Sequence, residues 1–66
     1  MEQRASRLTG RDLRAERVRT GLTQAQLGVL IGVSARRIAN VEGQYRVAPT
    51  FAQRVVGALA ALPADA

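Results

Sequence analysis

Residues 23–42 read TQAQLGVLIGVSARRIANVE, two short helical patterns joined at a glycine. Thr23 and Gln26 stand at the T-x-x-Q spacing of a capping box, in which a hydroxyl and a carboxamide satisfy backbone N–H groups that a helix leaves open at its start. A helix is expected over about residues 24–31, with Leu27, Leu30 and Ile31 at the i, i+3, i+4 spacing of one buried face. Gly32 ends it, because a residue without a side chain accepts a positive φ, and Val33 is placed to pack back on the preceding turn. Ser34 caps the next helix at once. That helix is expected over about residues 35–42, with Ile38 and Val41 turned inward. Two helices joined by a three-residue turn containing glycine must cross steeply, which is the geometry of a helix-turn-helix unit. Gly28 costs its helix about 1 kcal/mol relative to alanine, and close helix contact is the expected reason for it.

Upstream, Thr9 and Asp12 have the spacing to cap a first helix that runs to about Arg19 or Thr20, where Gly21 stops it. Residues 1–8 are polar and basic without periodicity and are expected to form a flexible arm that carries Arg4 and Arg7. Downstream, residues 43–49 read as a loop. Thr50 and Gln53 make a second T-x-x-Q pair, expected to open a fourth helix that ends near Leu62 because Pro63 cannot continue it. Residues 63–66 form a tail. With no strand pattern, repeat or linker, the chain is expected to be one all-α domain over residues 9–62.

The 66 residues contain no cysteine and no histidine. Disulfides, a zinc site of the usual ligand set and histidine acid–base chemistry are therefore not expected, nor is any cofactor. The five acidic residues are scattered, so an enzyme is not expected. Ten arginines give a net charge of +5, and a basic domain this small attracts polyanions, double-stranded DNA foremost. No apolar run reaches the roughly 18 residues needed to span a bilayer, and the first residues lack the apolar stretch of a secretory signal. A cytoplasmic location without membrane contact is expected. A domain of this size buries only about 60% of its unfolded surface, and self-association is the remaining means of reinforcing it.

Residues 13–62 resemble the Cro/repressor-like helix-turn-helix family, also called the xenobiotic-response-element family. The resemblance is carried by Arg17 four residues before Gly21, by GLTQ at residues 21–24, by the GVS turn at residues 32–34, and by Ile38, Val41 and Glu42 in order. It implies a compact domain of four helices, or five, with the third in the DNA major groove and the second across the backbone above it. It also implies a structural ion pair between Arg17 and Glu42 and a DNA-contacting role for Gln24. Two features depart from the family pattern: only PADA follows Leu62 where a fifth helix is common, and Gly43 follows Glu42 directly. The loop at residues 44–49 is similar to that of short repressors encoded beside anti-CRISPR genes in phages and mobile elements.

With Ile38 and Val41 inward, the opposite face of the third helix carries Ala35, Arg36, Ala39 and Asn40, with Arg37 on its flank. Arginine donates two hydrogen bonds to guanine, asparagine pairs with adenine or reaches a phosphate, and alanine touches a thymine methyl. Arg36 is the leading base reader. Gln24 lies at a helix start that favours phosphate; Thr23 and Ser34 combine capping with a phosphate contact, and Gln44 and Arg46 in the loop are expected at the DNA backbone or the groove edge. Tyr45 either joins them or packs over the core. On the fourth helix Phe51, Val55, Leu59 and Leu62 account for the inward face, leaving Ala52, Val56 and Ala60 as a second stripe for a homodimer. The function expected is a sequence-specific transcription regulator, a dimeric repressor without a small-molecule effector. The alternative is a protein-interaction module, antitoxin-like or adaptor, using the same fold.

Overall fold

Three of the four helices begin where a side chain satisfies their first open N–H groups. In the computed structural model, which describes residues 8–62, the helices are α1 Gly10–Arg19, α2 Gln24–Ile31, α3 Ala35–Glu42 and α4 Pro49–Ala60. Thr9 and Asp12 form a complete box at α1, each backbone N–H donating to the other's side chain at 3.1 Å. At α2 the Gln26 N–H donates to Thr23 Oγ1 at 3.0 Å and the Thr23 N–H to Gln26 Oε1 at 2.9 Å. Ser34 Oγ accepts from the Arg37 N–H at 3.0 Å at the start of α3. Gly21 and Gly32 take φ of 81° and 79°, the left-handed conformation that stops α1 and α2.

The fourth helix starts differently from the T-x-x-Q expectation. Its N-cap is Ala48, without a side-chain hydrogen bond, and Pro49 occupies the first turn. Proline needs no N–H partner there and its fixed φ suits the helix, so Thr50 and Gln53 lie inside the helix and cap nothing. The helix also stops at Ala60, with Ala61 as C-cap, two residues short of Leu62.

Leu13, Leu27, Ile38 and Val55, one from each helix, meet at the centre of the core, and Ile31, Val41, Val47, Phe51 and Ala52 surround them. α2 packs on α3, α1 lies against α3, and α4 closes the core against α2 and α1. Leu30 is exposed, contrary to the expected face. It points roughly 60° from Leu27, on the side away from Gly28, and the buried arc of α2 runs the other way. That arc is set by Gly28, whose missing Cβ would lie 2.4 Å from the Val33 carbonyl oxygen. The close contact is thus with the turn itself, whose Val33 N–H donates to the Gly28 carbonyl at 2.9 Å.

Leu8 belongs to the domain and not to an arm. It is buried, and its carbonyl accepts from the Val47 N–H at 3.1 Å, which ties the chain before α1 to the loop before α4. The expectations for Arg4, Arg7 and residues 63–66 lie outside the described residues. Ala52 is fully buried, because the inward arc of α4 extends from Phe51 round to Ala52 with Val55 between. It has no surface to offer a partner, and Val56 and Ala60 alone remain exposed from the expected stripe.

Candidate nucleic-acid interface

Burying Ile38 and Val41 determines what α3 shows to solvent. Arg36 projects almost opposite them, flanked by Ala39 and Asn40, all exposed, while Ala35 is half-buried at the margin. Arg37 is exposed on the flank, and its guanidinium lies over the Phe51 ring, 5.3 Å from the centroid. This cation–π contact draws Arg37 toward α4 and leaves Arg36 at the centre of the face. The three acids among the described residues are all engaged elsewhere: Asp12 in its capping box, Glu16 with Arg19, and Glu42 with Arg17. The outward face of α3 therefore carries arginine charge without a neighbouring acid.

The ends of α2 and α3 meet through a polar node. Arg17 Nε donates to Glu42 Oε2 at 2.6 Å and Nη2 to Oε1 at 3.1 Å, a two-pronged pair joining α1 to the last residue of α3. Arg17 Nη1 donates to the Leu22 carbonyl at 2.8 Å, and Gln24 Nε2 donates to Glu42 Oε1 at 3.2 Å. Burial pushes the Glu42 carboxyl up, but the hydrogen bonds from Arg17 and Gln24 and the charges of Arg17 and Arg14 outweigh it, and its pKa lies below the ordinary glutamate value. The hydrogen bond to Glu42 raises the pKa of Arg17 against the opposing effect of burial.

A depressed carboxyl pKa contributes stability at neutral pH that is lost as acid protonates the folded state. Folding stability should therefore fall as pH drops below the ordinary glutamate value of about 4.3, and this acid limb should flatten in Glu42→Gln. Urea midpoints measured across that range check it.

Thr23 and Ser34 use their oxygens as caps, and each hydroxyl proton remains free to be donated outward. Gln44 and Arg46 are exposed beside Tyr45, which points into solvent and does not cover the core. The loop is anchored at both ends: Gln44 accepts from the Gly10 N–H at 2.9 Å, and Val47 is buried.

Sequence reasoning missed two residues that position the site. Gly10 lets α1 approach the end of α3; its one signal is a poor helix former directly after a cap. Arg54 on α4 donates to the Ile31 carbonyl at the end of α2, and nothing local in the sequence marks that pairing.

No helix among the described residues is long and apolar enough to cross a membrane. Neither a curated protein nor a solved structure matches the chain. A family described as a helix-turn-helix domain matches residues 9–66, in keeping with the Cro/repressor-like resemblance of residues 13–62. With α2 and α3 packed across the Gly32 turn and a basic outward face on α3, the chain belongs to this helix-turn-helix domain family.

Proposed function

We propose that the protein is a sequence-specific DNA-binding transcription regulator that acts as a homodimer and represses by occupying an inverted-repeat operator. The observation that carries this reading is the outward face of α3, with Arg36 at its centre between Ala39 and Asn40 and no acid beside it. In the major groove Arg36 donates to guanine O6 and N7, Asn40 reaches adenine or a phosphate, and Ala35 and Ala39 meet thymine methyls. Thr23, Gln24 and Ser34 hold the phosphate backbone from the helix starts, and Gln44 and Arg46 extend that contact from the loop. Arg37, held over Phe51, serves as a phosphate contact at the edge of the groove. An interaction module would need apolar anchors on this face, and it has none.

The dimer contact proposed is the exposed side of α4 at Val56 and Ala60, which with Leu59, Glu16 and Arg19 line an open cleft between α1 and α4. Two copies related by a twofold axis would place their α3 helices one turn of DNA apart, about 34 to 36 Å. Occlusion of a promoter, including that of its own operon, is the simplest output for such a domain. The loop similarity to short phage and mobile-element repressors supports an origin of that kind.

Enrichment of duplexes from a random library by the purified protein tests the reading. A palindromic consensus is expected. Arg36→Ala should lose about 1 to 3 kcal/mol of discrimination at one base position of each half-site while retaining salt-dependent binding. Equal affinity for all duplexes would reduce the protein to a nonspecific binder.

A further inference from the structure

We infer that Glu42 is a positioning residue for DNA contact: it accepts a hydrogen bond from the Gln24 carboxamide and so sets that side chain in one orientation before DNA arrives. The inference rests on the DNA-binding reading above and deepens it. The Glu42 side chain is only 4% exposed. Its Oε2 is taken by Arg17 Nε, and its Oε1 accepts from both Arg17 Nη2 and Gln24 Nε2. A carboxylate can only accept, so the amide nitrogen of Gln24 must turn inward; its second N–H and its oxygen remain for the outside.

The same node holds the backbone through the bond from Arg17 to the Leu22 carbonyl, just before the Thr23 cap. Side chain and first turn of α2 are thereby fixed relative to the end of α3, and these are the two helices that meet DNA in the proposed complex. Arg17 neutralises the carboxylate and Arg14 acts on it as well, so a phosphate approaching Gln24 meets no net negative charge. A glutamine left free at a helix start samples several rotamers, and ordering it on binding weakens the complex. Fixing it beforehand is worth about three- to tenfold in affinity.

A double-mutant cycle on the duplex enriched by the wild-type protein tests the inference, with the folded fraction of each variant measured by circular dichroism and used to correct its affinity. Gln24→Ala and Glu42→Gln should each weaken binding by about three- to tenfold, and the double variant should lose no more than the larger single loss. Glu42→Gln combined with Arg36→Ala should instead multiply the two losses. A merely structural Glu42 would multiply with both partners, and that result, or wild-type affinity in Glu42→Gln, overturns the inference while leaving the DNA reading intact. Failure of the wild-type protein to bind any duplex at low salt removes both. Should Glu42→Gln not fold, Glu42→Asp keeps a charge for Arg17 but withdraws the carboxylate from Gln24, and takes its place in the cycle with the same outcomes.

Discussion

Arg17→Ala is expected to cost about 3 to 5 kcal/mol of folding stability, because it leaves the Glu42 carboxylate buried without its charge partner. The paired side chains are 10% and 4% exposed, so solvent offsets little of the lost charge pairing. Two hydrogen bonds to Glu42 and one to the Leu22 carbonyl disappear together. A domain of this length has a total stability of roughly 3 to 10 kcal/mol, and the variant should be largely unfolded at room temperature or melt far below the wild type. Thermal and urea unfolding read the loss. Replacing both partners with apolar residues of similar volume should recover much of it, since the cost lies in stranding one charge and not in lacking the pair.

Gly10→Ala is expected to destabilise by about 3 kcal/mol or more, against the roughly 1 kcal/mol by which helix propensity favours alanine. A Cβ at Gly10 would lie 2.4 Å from the carbonyl oxygens of Gln44 and Glu42 and 2.5 Å from that of Val41. All three are backbone atoms, two in the last turn of α3 and one in the loop just after it, and cannot rotate aside. The start of α1 would have to withdraw, breaking the Gly10 N–H bond to Gln44 and pulling on the node at Glu42. Gly28→Ala meets a single carbonyl at comparable distance and should cost less, about 1 to 3 kcal/mol. The order of the two urea midpoints checks the argument, and a stabilised Gly10→Ala would contradict the packing of α1 on α3.

What could be read in the sequence was local. Thr9, Thr23 and Ser34 announce their helices because capping needs a particular side chain at a particular spacing, and Gly21 and Gly32 announce the ends because a positive φ excludes most residues. The pair of Arg17 and Glu42 spans α1 to α3 and is legible only through the family resemblance, since nothing in local spacing joins residues 25 apart. One misplaced part was itself local, and the others depended on tertiary packing. Thr50 and Gln53 had the spacing of a box, but Pro49 one residue earlier is better suited to the first turn. Alanine fits either face, so the sequence offers Ala52 to an outer stripe, and only the depth of α4 in the core decides against it. Leu8 followed a polar stretch that hid its contact with the loop at Val47. On α3 the burial of Ile38 and Val41 alone places Arg36 and Asn40 outward, but the stacking of Arg37 on Phe51 requires the position of α4.

The proposed DNA-reading face is tested most directly by backbone amide chemical shifts of the protein with and without the selected duplex. The largest changes are expected at Thr23, Gln24, Ala35, Arg36, Ala39 and Asn40, with smaller ones at Gln44 and Arg46, and little change at Val56 and Ala60 on α4. Changes concentrated on α4 and the cleft beside it, with the α3 face silent, would contradict it.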